Sequence, residues 1–209
     1  MTREEKLILK YDLLSAFEKD AKSQGYVRCA GIDEAGRGPL AGPVVAAICI
    51  LDENSPIYGL DDSKKLSEKK REELYEEIIL KARAYAVYRV EPDMIDKINI
   101  LEATKLAMRA CVSALPERPD LLLIDAVALS GTGVPVWPII KGDTKSNSIA
   151  AASILAKVTR DRIMREYDLM YPGYDFAQHK GYGTHDHYAA IDTLSLCPIH
   201  RRTFLKGHV

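Results

Sequence analysis

Four carboxylates stand beside apolar runs in this 209-residue chain. Asp33 and Glu34 follow the run that ends at Ile32, Asp125 follows residues 121–124, and Asp143 lies just past residues 134–140. A single acid at a strand end more often caps a turn or a helix than does chemistry. Four of them at matching strand ends suggest more, because the ends converge if the first, fourth and fifth strands are neighbours. Carboxylates packed that closely repel one another unless they are protonated or bridged by cations. Hard oxygen ligands select Mg²⁺ or Mn²⁺ over zinc. Two such ions about 4 Å apart can bind the attacking and the leaving oxygen of a phosphodiester. Asp33, Glu34, Asp125 and Asp143 are therefore the candidate catalytic residues and metal ligands. Adjacent strand residues face opposite sides, so Asp33 and Glu34 share a site only if their strand finishes or distorts there. The glycines that follow favour this.

The elements that must position these acids are legible in outline. Thr2 and Glu5 form a capping box, which predicts an opening helix over residues 3–22. Residues 26–32 read as a strand, 36–42 as a glycine-rich turn, and 44–51 as a second strand, apolar on both faces. Ser67 is the expected N-cap of a charged helix to about residue 81, with Leu74 and Ile78 facing inward. Residues 84–90 alternate as a third strand. A helix over about 95–115 follows, ended by Pro116 and Pro119. Residues 121–124 have the fully apolar signature of a central parallel strand, and 134–140, with Pro135 and Pro138, suit an edge strand. Helices over 148–170 and 185–193 complete the pattern. The expected fold is α/β, a mixed five-stranded sheet flanked by helices with a helical C-terminal portion. Residues 1–209 are expected to form one domain, with an N-terminal helical segment to about 24 and a C-terminal helical extension from about 172.

Composition is that of a soluble globular protein, 47% hydrophobic and 28% charged. No apolar run is long enough to span a bilayer, and Cys29, Cys49, Cys111 and Cys197 form no CxxC pair. A cytoplasmic protein with reduced core cysteines is expected, without membrane association and, for want of a coiled-coil pattern, monomeric. The net charge of −1 argues against a generic nucleic-acid binder. Its distribution leaves nucleic acid open, since residues 141–165 carry six basic residues and two acids. That stretch and the basic residues after Pro198 are the expected phosphate track.

Gly36-Arg37-Gly38-Pro39-Leu40-Ala41 matches the loose dinucleotide fingerprint G-x-G-x-x-A, which would indicate a nicotinamide- or flavin-dependent oxidoreductase. That fingerprint needs a helix directly after the loop to hold the pyrophosphate, whereas Gly42-Pro43 leads into a β-type run. A tight turn here can still present backbone N–H groups to a phosphate or a ribose hydroxyl, with Arg37 adding charge. A non-catalytic nucleic-acid binding module is the other alternative, but it has no need of four convergent acids. Lys64, in a polar loop, is either a phosphate contact or an ordinary solvated charge, and Lys145 and Lys180 flank the acids. Asp161, at helical spacing from Arg160, Arg162 and Arg165, predicts a surface ion pair. The histidines match no zinc spacing, and Trp137 reads as a packing residue.

The motifs together resemble bacterial ribonuclease HII, of the type 2 ribonuclease H family. Gly31-Ile32-Asp33-Glu34-Ala35-Gly36-Arg37-Gly38-Pro39 looks like that family's opening signature. Asp62-Ser63-Lys64-Lys65-Leu66, Leu123-Ile124-Asp125-Ala126, Lys141-Gly142-Asp143, Ala151-Ala152-Ser153-Ile154-Leu155-Ala156-Lys157-Val158 and Lys180-Gly181-Tyr182-Gly183-Thr184 follow in its order. The resemblance covers about residues 25–205. It implies an RNase H-like fold and a four-acid site on Asp33, Glu34, Asp125 and Asp143, with two Mg²⁺ or Mn²⁺ ions in the catalytic complex. It also implies that Gly36, Arg37 and Gly38 contact the 2′-hydroxyl at the junction and that Tyr182 stacks on the sugar of the following deoxynucleotide. The implied partners are RNA/DNA hybrid and DNA duplex containing ribonucleotides. The implied activity is endonucleolytic, cutting the RNA strand of hybrids and 5′ of embedded ribonucleotides to leave 3′-OH and 5′-phosphate ends.

Overall fold

The computed structural model describes residues 1–125 and 127–207; Ala126 of the Leu123-Ile124-Asp125-Ala126 motif and His208 lie outside them. Two helices open the chain, α1 (Arg3–Leu14) and α2 (Ala16–Ser23), where one was expected. The capping box is present at Thr2 and Glu5. The break at Ser15 has one local and one distant cause. The Ser15 hydroxyl and the Asn147 side-chain amide each donate to the Tyr11 carbonyl at 2.8 Å, a competition with the helix ladder that bends helices.

There follow β1 (Cys29–Ala35), β2 (Val44–Ile50), α3 (Glu68–Lys81), β3 (Ala84–Val90), α4 (Pro92–Ile98), α5 (Ile100–Ala114), β4 (Leu121–Asp125) and β5 (Val136–Ile139). After a 3₁₀ turn at Gly142–Thr144 come α6 (Asn147–Met170), α7 (Phe176–His179) and α8 (His185–Leu194), then a second 3₁₀ turn at Arg202–Phe204. Among the described residues the strands form one five-stranded sheet in the order β3-β2-β1-β4-β5. β1, β2 and β3 run antiparallel, while β4 and β5 lie parallel to β1. The mixed sheet and the adjacency of the first, fourth and fifth strands are as the sequence predicts.

Helices cover both faces of the sheet, which is why β2 is apolar throughout. Val44, Ala46 and Ile48 pack with Met108 and Cys111 of α5, and Val45, Ala47 and Cys49 pack with α6 and with Leu74 and Ile78 of α3. Each fully buried Leu or Ile contributes about 2 kcal/mol. α6 rests directly on β1 at Gly31, where a Cβ would collide with the Ser148 backbone. The C-terminal portion is seated on the glycine turn. Met164, Tyr174, Phe176, Ile191, Ile199 and Leu205 form a cluster around Leu40 and Ala41.

The expected helix over 95–115 is two helices, α4 and α5, separated by Asn99 at φ 67°. The Asn99 side chain accepts from the N–H groups of Leu101 and Glu102 and so caps α5.

Candidate active site

β1 does not finish before Asp33 as expected; it runs on to Ala35. Its last β4 partner is nevertheless Ile32, paired with Ile124, and beyond it Glu34 and Ala35 pair only with β2. The acids gather about this step in the sheet. Asp125 is the last residue of β4, immediately after Ile124. Asp143 lies in the 3₁₀ turn after β5, entered through Lys141 in the left-handed region at φ 57°. The Gly142 N–H donates to Asp125 Oδ1 at 3.1 Å and ties that turn to the end of β4.

The neighbourhood is short of positive charge. Burial pushes the Asp33 carboxyl well above the usual carboxylate range; Glu34 and Asp125 add repulsion, against which a Ser153 hydrogen bond works. Burial likewise raises Glu34, with Arg37 opposing and Asp125 adding to the shift. Asp143 is raised by burial, then by Asp62 and Asp125, with Lys64 opposing. The nearby cations are few. Arg37 Nη1 lies 3.2 Å from Glu34 Oε1, and Lys64 Nζ lies 3.8 Å from Asp143 Oδ2. Burial alone would lower the Lys64 ammonium, but Asp143 and the other acids raise it.

This donor set fits hard divalent cations. Glu34 Oε2 is buried without a hydrogen-bond partner, an arrangement whose cost a bound cation relieves. Among the described residues no three His, Cys, Asp or Glu side chains already form a metal-holding cluster. To hold a cation, the carboxylates would have to close in on it.

A cleft of about 250 Å³ beside the acids is lined by Glu34, the 36–38 turn, Lys64, Ser153 and Tyr182, among others. The sequence-predicted residues Gly36, Arg37, Gly38, Lys64 and Tyr182 thus share one hollow with Glu34. A larger hollow of about 520 Å³ lies at the other end of β1, by Cys29 and Glu18, away from the acids. Gly36 must be glycine: its φ is 95°, and a Cβ would strike the Arg160 side chain and the Pro43 carbonyl oxygen at 2.7 Å. Tyr182, 48% exposed, follows two left-handed residues, Lys180 and Gly181. Its loop is stitched to the glycine turn, since the Leu40 N–H donates to the Gly181 carbonyl at 2.8 Å.

Several residues essential to this geometry escaped the sequence reading. Ser63 and Ser153 hydroxyls are 2.9 Å apart and buried, linking the Lys64 loop to the serine beside Asp33. Both sit inside quoted motifs, which was the available signal. Arg160 and Arg201, counted as phosphate track, are 1% and 0% exposed. Arg160 donates to the carbonyls of Ala41, Pro43 and Lys180. The track over residues 141–165 is accordingly corrected. Lys157 pairs with Asp161 at 2.6 Å, and Arg162 and Arg165 pair with Glu72 of α3 at 2.5 and 2.7 Å. Only Lys141 and Lys145 of that stretch remain exposed. Asp161 is no surface pair either: it is buried, between Lys157 and Arg71. The dinucleotide reading also fails, because the residues after Gly42-Pro43 form β2 and no helix starts there.

A mixed five-stranded sheet flanked by helices in this order is the architecture of RNase H-like proteins, and comparison with known proteins narrows the class. The family model described as Ribonuclease HII matches residues 30–207. A ribonuclease HII of Listeria monocytogenes (strain HCC23) is 54% identical over 202 residues, covering 97% of this chain and 77% of the relative. The PCNA:RNase HII complex from Archaeoglobus fulgidus holds a chain of similar structure, with TM-score 0.72 and 29% identity over 86% of this chain and 94% of that one. Bst ribonuclease HIII, solved in complex with Mn²⁺, shares the fold with TM-score 0.60 at 19% identity, over 84% of this chain and 65% of that one. The chain belongs to the ribonuclease HII family. It is a nuclease, a hydrolase of nucleic acid. No helix among the described residues is long and apolar enough to cross a membrane.

Proposed function

We propose that this nuclease cuts the RNA strand of RNA/DNA hybrids and the 5′ side of ribonucleotides embedded in duplex DNA, through Asp33, Glu34, Asp125 and Asp143. The observation that carries the reading is the unpartnered buried Glu34 oxygen among raised carboxyls, in one cleft with the 36–38 turn and Tyr182. Two Mg²⁺ or Mn²⁺ ions bound by the acids would supply charge neutralisation at the attacked phosphate and lower the pKa of water there.

The chain's own residues do the rest. Ser153 holds Asp33, and the Gly142 N–H holds Asp125, so two of the four acids are oriented before substrate arrives. The N–H groups of the glycine turn are suited to a ribose 2′-hydroxyl, the group that separates RNA from DNA. The half-exposed Tyr182 ring suits the sugar of the next nucleotide, where a 2′-hydroxyl would crowd it. Lys64, raised and exposed at the cleft rim, is suited to a phosphate. Water attacks phosphorus on the 5′ side of the ribonucleotide, and the bond to the preceding nucleotide's 3′ oxygen breaks. That oxygen leaves as a 3′-hydroxyl and the phosphate stays on the ribonucleotide's 5′ end.

A labelled DNA duplex containing one ribonucleotide, incubated with Mg²⁺ or Mn²⁺, tests this directly. A single cut 5′ of the ribonucleotide is expected, lost with chelator and reduced about a thousandfold in Asp125→Asn. The asparagine oxygen still accepts from the Gly142 N–H, so folding is retained. Normal activity in that variant would overturn the site assignment. No cut with either metal by folded wild-type protein would remove incision at embedded ribonucleotides from the reading.

A further inference from the structure

Arg201 is fully buried and forms no ion pair among the described residues; Asp96 acts on it only at longer range. A buried guanidinium without a counter-charge is costly unless hydrogen bonds surround it. Here they all come from one segment. Nη2 donates to the Gly36 carbonyl at 2.6 Å and to Gly42 at 2.8 Å; Nη1 donates to Arg37 at 3.0 Å and Pro39 at 2.8 Å; Nε donates to Gly42 at 2.9 Å. Burial pushes the group down to about 9 and the neighbouring Arg160 adds to this, which still leaves it charged at neutral pH.

Peptide planarity turns these bonds into an orientation. The C=O of one residue and the N–H of the next point in opposite directions across the same planar unit. With the Gly36 and Arg37 carbonyls drawn inward to Arg201, the Arg37 and Gly38 N–H groups are turned outward, and both residues are exposed. Neither N–H has a partner within the described protein. The next outward-turned N–H, that of Leu40, binds Gly181 instead and anchors the Tyr182 loop. One side chain thus sets two free donors and one anchored donor.

We propose that Arg201 is the positioning residue of the glycine-arginine-glycine turn, holding its carbonyls inward so that the Arg37 and Gly38 N–H groups face a ribose. The proposal rests on the functional reading above for the identity of the ligand, though not for the geometry. An arginine that only pinned the C-terminal segment would loosen residues 196–207 when removed and leave the turn intact. A positioning arginine leaves the turn itself disordered in its absence, and a donor misplaced by about 1 Å can lower turnover about a hundredfold.

The test compares wild type, Arg201→Ala and Arg201→Lys in the full chain. Hydrogen exchange over residues 36–42 is read against β3, and kcat and KM are measured on the single-ribonucleotide duplex. In Arg201→Ala the expected results are faster exchange at Leu40, whose N–H bonds Gly181 and not the 196–207 segment, and a kcat about a hundredfold lower, with KM changed less. Guanidinium at about 10 mM, well below denaturing levels, restores both, while equal sodium chloride restores neither. Arg201→Lys resembles Arg201→Ala, because an ammonium cannot span four carbonyls. Should Arg201→Ala fail to fold, Arg201→Lys carries the same readings. Activity within about twofold of wild type in a folded variant, or lost activity with unchanged exchange over 36–42, would overturn the proposal. If wild type cuts no ribonucleotide, the functional reading fails, while exchange and its response to guanidinium still decide the role of Arg201.

Discussion

Asp33 and Glu34 occupy an environment that opposes their own ionisation, and two consequences can be measured at these residues. The Asp33 carboxyl is raised in the folded protein, so above the usual carboxylate range the folded state holds a proton that the unfolded chain has released. Its stabilising contribution is present at low pH and is lost as pH rises through the raised value. Without metal, this residue's part of the Tm should therefore fall between about pH 4 and about pH 8, and Asp33→Asn should flatten the slope. Thermal scans in chelator check this. Cations reverse the effect by binding only the folded state. At a hundredfold excess over Kd they add about 3 kcal/mol, or about 5–10 °C for a chain of this size. Glu34→Gln, which replaces the unpartnered oxygen by an amide, should lose most of that rise. A full rise in both variants would place the cations elsewhere.

The strands and α3 follow closely from sequence because their signals are local: apolar alternation in β3, the Ser67 cap, the prolines of the edge strand. The boundaries of β1 and the broken helices were less legible. β1 continues past Ile32 because β2 still pairs with it, a tertiary reason that no window of sequence contains. α1 and α2 separate because Asn147, far along the chain, bonds at Tyr11 and Ser15. Asn99 was within reach, being an N-cap residue followed by a helical run, with Pro92 seven residues earlier marking another start. The four acids and the turn were legible as types beside strand ends; the buried arginines were not, since a basic residue in sequence reads as a surface charge. Asn99→Ala tests the break between α4 and α5. It removes a cap and puts a Cβ residue without local compensation at positive φ, costing about 2 kcal/mol. Asn99→Gly restores the backbone freedom and should cost less. Chemical denaturation ranks the two; both variants lose the cap, so an equal or reversed order would show that the φ angle carries none of the cost.

Across the whole molecule, three buried histidines join the C-terminal portion to the cleft. The Tyr182 carbonyl can only accept, so His187 Nδ1 carries a hydrogen and donates to it at 2.9 Å. His187 Nε2 then accepts from His200 Nε2 at 3.1 Å, and His200 Nδ1 accepts from the Cys197 N–H at 3.0 Å. Both rings are neutral in this chain of bonds. Burial pushes His187 down to about 4 and lowers His200 as well. The unfolded chain takes up the proton first, so stability is lost as pH falls from about 6.5 toward about 4, by at most about 3 kcal/mol. This slope is opposite in sign to that of Asp33 and lies within the same window, so the two partly offset each other below about pH 6.5. The Tm of His187→Gln should vary less than that of wild type between about pH 7 and about pH 5; an unchanged slope would assign the acid sensitivity to other groups.

The bond from Arg201 to the Gly42 carbonyl spans 159 residues, which bears on how the protein is made. On the ribosome, β1 to β5 and Asp33, Glu34, Asp125 and Asp143 emerge before Arg201. A chain halted before residue 201 holds every strand of the sheet, yet it lacks the guanidinium that binds the Gly36, Arg37, Pro39 and Gly42 carbonyls. On the proposed roles, such an unfinished chain would carry its acids without the residue that sets its means of telling RNA from DNA.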